Sequence, residues 1–146
     1  MSGLSGTTTH PMDAKGRTSL PARHRKVLPD ELVIMRAPDE TFPCLWILSE
    51  EEHKKWAESL FESKGGFQAN SKSGNYFKHK LFGSKQYVTV DQAGRMLIPA
   101  KLRQFASLDK TIVIVGADDH IELWDEDLLE KYEEHCEKLY QIIDSE

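Results

Sequence analysis

Cysteine is scarce in this 146-residue chain: Cys44 and Cys136 stand far apart and in no CxxC pair. That excludes a disulfide framework and a cysteine zinc cage, and both thiols read as small buried hydrophobes. Long apolar runs are missing too. The longest purely aliphatic stretches, Leu32–Met35 and Ile112–Val115, are four residues each, against the roughly 20 that a bilayer-spanning helix needs, so no membrane partner is expected. Met1–His10 offers Ser, Gly and Thr where a signal peptide needs a basic patch and an apolar core, which predicts a cytoplasmic protein. His10, His24, His53, His79, His120 and His135 fall in no HxxxH or HExxH spacing, and no serine sits in a GxSxG setting. The sequence therefore predicts no enzyme, no metal site, no cofactor and no small-molecule substrate. Asp118-Asp119-His120, a compact polar cluster, reads as a hairpin loop, and His135-Cys136 as helix surface plus seam rather than a nucleophile pair.

What is present is enough for one folded core. The chain is 39% hydrophobic and 29% charged with three Trp, six Phe and four Tyr, too apolar and aromatic for disorder. Its net charge is −5, which taken alone argues against a polyanionic partner. The charge is unevenly spread, however. Acid collects in residues 31–63, with eight acidic and three basic side chains, and in 117–146, with twelve and two. Between 64 and 90 there are five lysines and no acid, Lys64, Lys72, Lys78, Lys80 and Lys85, in a Gly/Ser/Asn-rich connection. This is either a solvated linker or a basic rim that attracts a polyanion.

The chain also repeats itself. Asp13-Ala-Lys-Gly-Arg17, Leu20-Pro-Ala22 and Arg25 recur as Asp91-Gln-Ala-Gly-Arg95, Ile98-Pro-Ala100 and Arg103, at an offset of 78. Carried forward without a gap, the offset also matches Ile34 with Ile112, Leu45 with Leu123, Trp46 with Trp124 and Glu52 with Glu130. Ten identities over the 44 positions 13–56 exceed the roughly two or three expected by chance, so the chain is a tandem duplication. Units this small bury too little surface to stand alone and should fuse into one core.

Each unit reads as strand, turn, strand, short helix, strand, strand, helix. Leu4–Met12 and Phe82–Val90 are strand-like in composition. Gly16 and Gly94 supply the positive φ of a tight turn, and Asp13 and Asp91 accept backbone N–H bonds at its start. Pro21 and Pro99 suit the first position of a short helix. Pro99, Leu102, Phe105 and Ala106 form its buried face, with Lys101 and Arg103 outward. Val33–Ala37 with Leu45–Leu48, and Thr111–Gly116 with Ile121–Trp124, supply the remaining strands. The closing helices are capped by Ser49 with Glu52 and by Asp127 with Glu130. Leu129, Tyr132, Cys136, Leu139 and Ile143 make a heptad seam on the last helix, packed on its own unit or on a neighbouring subunit.

Asp13-Ala-Lys-Gly-Arg17-Thr-Ser-Leu-Pro21-Ala-Arg-His-Arg25 and Asp91-Gln-Ala-Gly-Arg95-Met-Leu-Ile-Pro99-Ala-Lys-Leu-Arg103 resemble the MraZ family of bacterial transcriptional regulators over nearly the whole sequence. The resemblance implies an α+β, mainly β fold: two tandem AbrB-like swapped-hairpin units, 3–62 and 81–146, joined by the basic connection 63–80. They would form one pseudo-twofold β-barrel with peripheral helices. It further implies a sequence-specific DNA-binding regulator of its own promoter and the division and cell-wall gene cluster. Such a protein would bind double-stranded promoter repeats, form a ring-shaped homo-oligomer and associate with the nucleoid. Two departures stand out: Ala93 replaces the lysine that the first turn has as Lys15, and His24 sits where an aromatic or apolar residue is commoner.

For DNA, Arg17 and Arg95 are the expected primary contacts, since the planar guanidinium bonds bidentately to phosphate or to guanine O6 and N7. Lys15 joins Arg17, while Arg23, Arg25, Lys101 and Arg103 add phosphate contacts from the short helices. Asp13, Gly16, Asp91 and Gly94 shape the turns. Two other readings stay open. The Asp–Arg pairs could be surface ion pairs that only stabilise the turns, and the molecule could be a protein-docking or antitoxin-like AbrB-type module without specific DNA binding.

Overall fold

The computed structural model describes residues 3–63 and 71–144, with side chains as far as Ile142. The first series of elements is β1 (Leu4–Pro11), β2 (Arg17–Ser19), α1 (Ala22–Arg25), β3 (Glu31–Arg36), β4 (Leu45–Leu48) and α2 (Glu50–Ser63). After α3 (Lys72–Gly83) the series recurs as β5 (Gln86–Thr89), β6 (Arg95–Leu97), α4 (Ala100–Phe105), β7 (Thr111–Asp118), β8 (Ile121–Asp125) and α5 (Glu126–Asp144). The fold is α+β and mainly β. A six-stranded antiparallel sheet has the order β1-β7-β8-β4-β3-β5, and β2 pairs with β6 in a separate ribbon.

The two series are interleaved. β1 pairs with β7 of the second series, and β5 pairs with β3 of the first. At the centre Leu45 faces Leu123, its own counterpart at offset 78. In the ribbon Thr18 faces Met96, again its counterpart. Both pairs are what a twofold relation between the halves requires.

The expected closed barrel is absent. Closure would need the edge strands β1 and β5 to meet, but each runs into a turn, and the outgoing strands β2 and β6 pair with each other. The ribbon lies over one face of an open sheet. Between them sits one core drawn from both halves, including Leu20, Ile34, Leu45, Met96, Ile98, Ile112 and Leu123. The opposite face is covered by α2, through Trp56 against Val33, Met35 and Leu48, and by α5, through Leu129 and Tyr132 against Val113 and Trp124. Covered on both sides, Leu32–Met35 is buried without alternation, as a doubly covered strand must be.

Several sequence expectations shift. Of the connection read as 63–80, residues 64–70 lie outside the described residues; its end and the start of the expected strand form α3, so β5 keeps only Gln86–Thr89. Its entry is fixed by Ser71, whose Oγ accepts the Gly74 N–H at 3.1 Å. Its body packs on α2, Phe61 meeting Phe77 edge-on at 5.7 Å. Pro21 and Pro99 stand at the N-cap with ψ near 140°, one residue before the helices, and the Pro21 carbonyl takes the first helical N–H bonds. Ser49 Oγ accepts the Glu52 N–H at 3.1 Å, as a cap should. In α5 the cap is Asp125, accepting from Leu128 N–H at 3.1 Å, and Asp127 lies inside the first turn because β8 runs straight into the helix.

The uniform offset also fails at one place. His10 faces Ile112, yet its counterpart Val88 faces Leu32 rather than Ile34. α4 is two residues longer than α1 and is followed by Ser107 at φ 57°.

Candidate nucleic-acid interface

Each turn is organised by its aspartate. Asp13 Oδ1 accepts the N–H of Lys15 at 3.0 Å and of Arg17 at 2.9 Å, while Oδ2 takes Arg17 Nε at 2.8 Å. The Arg17 backbone N–H, then its guanidinium, hold the Asp13 carboxyl down at about 2. In the second turn Asp91 Oδ1 accepts the Arg95 N–H at 2.9 Å, but its Oδ2 lies 3.5 Å from Arg95 Nε. That backbone bond is also the main reason Asp91 titrates below its usual range. Arg17 is therefore tethered more tightly than Arg95. Ion pairs as exposed as these, with both arginines more than 40% accessible, contribute little stability.

Gly16 and Gly94 have φ of 93° and 81°, the left-handed region a side chain resists. They are also roofed. A Cβ on Gly16 would come 2.5 Å from Arg103 Nε, and one on Gly94 would come 2.5 Å from an Arg25 guanidinium nitrogen. Each turn thus rests on the arginine of the opposite series. The ribbon locks the same exchange, Ile98 N–H bonding to the Gly16 carbonyl at 2.9 Å and Leu20 N–H to that of Gly94 at 2.8 Å.

The predicted residues consequently divide. Lys15, Arg17 and Arg95 are exposed at the turns, Arg23 and Arg25 on α1, and Lys101 on α4, while Arg103 is half-buried. Arg25 and Arg103 lie against the turn glycines, Arg103 also donating Nε–H to the Ile98 carbonyl at 2.9 Å. Arg23 sits beside β1, its Nη1 2.9 Å from where a Gly6 Cβ would be. His24, at the position of Leu102, is as buried as that leucine, and burial, with Arg23 and His10 nearby, depresses its pKa.

Sequence reasoning passed over the middle of the ribbon. In a two-stranded ladder alternate residues face one way, and Thr18 and Met96 turn into the core. Arg17, Ser19, Arg95 and Leu97 therefore form the outer face, with Arg17 opposite Leu97 and Ser19 opposite Arg95. The alternation around Met96 was the available signal. The two arginines are diagonal neighbours, within about 7–8 Å of each other.

The β7–β8 connection is a tight hairpin. His120 stacks on Trp46 at 3.9 Å, with Asp119 Oδ1 2.7 Å from Nδ1 and Glu122 Oε2 3.5 Å from Nε2. Burial opposes its charge, but Glu122 and Asp119 outweigh that and raise its pKa. Among the described residues no three His, Cys, Asp or Glu side chains group as metal ligands, and no helix is long and apolar enough to cross a membrane.

These features define a class: an internally repeated α+β protein, its halves exchanging strands in one antiparallel sheet, with a two-stranded arginine-bearing ribbon laid on top. The particular family follows from comparison. The family described as "MraZ protein, putative antitoxin-like" matches residues 4–72 and 81–142, and the chain belongs to it. It is 35% identical over 141 residues to the transcriptional regulator MraZ of Mycoplasmoides gallisepticum, covering 96% of this chain and 94% of that one. The transcriptional regulator MraZ of Treponema denticola is 35% identical over 130 residues, 88% and 86% of the two chains. That of Cutibacterium acnes is 36% identical over 135 residues, 92% and 90%.

Proposed function

We propose that this protein is a sequence-specific DNA-binding transcriptional regulator acting on its own promoter and on the division and cell-wall genes, and that the β2–β6 ribbon with its two Asp-x-x-Gly-Arg turns is the reading element. The observation that carries this is the diagonal pair Arg17 and Arg95 on the outer face of a rigid two-stranded ribbon. The major groove, about 12 Å wide, admits such a ribbon. Lys15, Arg23, Arg25 and Lys101 supply phosphate contacts around it, while Arg25 and Arg103 also brace the turns they lie against.

Charge separation supports the same reading. The acidic helices α2 and α5 cover the sheet face away from the ribbon, so their acidic side chains are turned away from the duplex. The two units, 3–62 and 81–146, are AbrB-like swapped hairpins in this reading, a view supported by the exchanged pairings of β1 and β5. A ring-shaped homo-oligomer would multiply the contacts on promoter repeats by effective concentration and hold the protein on the nucleoid.

Fluorescence anisotropy with the protein's own upstream duplex tests it. Binding should exceed that of a scrambled duplex, weaken linearly in log K against log salt, and disappear in Arg17→Ala with Arg95→Ala at unchanged size-exclusion mass. No preference for that duplex at moderate salt would overturn the proposal. A docking or antitoxin-like module would instead keep its activity in the double variant.

A further inference from the structure

We propose that Leu97 is a base-reading residue that packs on the 5-methyl group of a thymine, and that the ribbon therefore has one methyl-reading end and one end without it. The inference rests on the DNA-binding function proposed above and goes beyond it by naming which base group is read and by which side chain.

Leu97 is 55% exposed although its neighbours Met96 and Ile98 are buried. It is the one large apolar side chain on the ribbon's outer face, and at offset 78 its counterpart is Ser19. Arg17 lies directly opposite it, about 4.5–5.5 Å away at Cβ. Arg95 precedes it by two on the same side of the strand. A leucine between two guanidinium groups is poorly placed to meet another copy of this face, because like charges would be brought together. It suits a surface that is anionic overall and carries an apolar group at its floor.

Duplex DNA has such a group in the major groove. Guanine O6 and N7 match an arginine fork, and the thymine C5-methyl is the apolar feature beside them. A ribbon inserted with Arg17 on a guanine edge brings Leu97 against an adjacent step. At the other end Arg95 faces Ser19, whose hydroxyl bonds to several base edges and makes no demand for a methyl. The pseudo-twofold ribbon thus distinguishes the two directions of the duplex by one side chain.

Deoxyuridine keeps the base pairing of thymidine and lacks only the methyl, so the probe is the protein's own upstream duplex made with thymidine or with deoxyuridine. Wild type should bind the deoxyuridine form about fourfold more weakly for each contacted methyl, the factor for burying one such group. Replacing thymines singly should confine that loss to one position per site. Leu97→Ser should bind both duplexes equally, and Ser19→Leu should raise the discrimination. Equal binding of both duplexes by wild type, with dependence on Arg17 and Arg95 intact, overturns the role of Leu97 alone. Full discrimination retained in Leu97→Ser, whose fold is checked by circular dichroism, does the same. Failure of wild type to bind either duplex overturns the DNA-binding function itself.

Discussion

At the scale of single residues, the aspartates and glycines of the turns set where the arginines point. Asp13 is held at about 2 by the Arg17 backbone N–H and guanidinium, below the roughly 3.9 of an unfolded chain. A depressed carboxylate stabilises the fold fully above the unfolded value, and the contribution is lost as pH falls through the folded one. Wild type should therefore lose more stability between pH 4 and pH 2 than Asp13→Asn, read as the shift of the urea midpoint. Gly16 is a sharper case, because a Cβ there meets both a left-handed φ and the Arg103 guanidinium. Gly16→Ala should cost about 2 kcal/mol, or roughly 4–8 °C in Tm by calorimetry. Lys15 has no counterpart in the second turn, where Ala93 stands. If it meets a phosphate, Lys15→Ala should weaken binding alike on specific and scrambled duplexes and lower the salt slope by about one. The turn sequences made the tight turns and their arginines legible. They did not reveal that Arg25 and Arg103 lie against the glycine of the opposite turn, since that contact exists only once the two halves interleave.

Among the elements, the hairpins, short helices and closing helices could be read because each carries local punctuation: a proline, a capping Ser or Asp, a turn glycine. α3 could not. Lys72–Gly83 contains Gly74 and Asn75 and has no acid in its first turn, so its intrinsic preference is weak. It is helical because it has α2 to pack on: Phe77 meets Phe61, and Phe82 meets His53 at 5.6 Å. That packing buries His53, whose Nε2 has no hydrogen-bond partner among the described residues and whose pKa is depressed, first by burial and then by Lys85. An imidazole kept neutral in the fold but free to protonate near 6.5 when unfolded makes stability complete above that pH and progressively lost below it. His53→Leu should flatten the fall of the urea midpoint between pH 7 and pH 5. His120 works the other way, its raised pKa adding stability that is present below 6.5 and lost as pH rises through the folded value.

For the molecule as a whole, the sheet separates its two surfaces by charge and by chemistry. The ribbon side is cationic and exposes Leu97; the far side carries the acidic helices α2 and α5, with the lysine-bearing α3 packed on α2. α5 is docked through Leu129 and Tyr132 near its start, but Leu139 and Tyr140 further along are 48% and 65% exposed. The heptad seam read from the sequence thus covers its own sheet in its first half and stands clear of it in the second, with the Ile143 side chain outside the described residues. If subunits assemble through that second half, Leu139→Asp with Tyr140→Ser should lower the mass measured by light scattering while the circular dichroism spectrum is kept. The crossed footing of the turns has a consequence for genetics as well. A lesion in α1 at Arg25 should cripple the recognition tip that lies 69 positions downstream and leave its neighbouring tip standing, with Arg103 doing the reverse. A phenotype map drawn along the chain would assign each defect to the wrong half of the binding site.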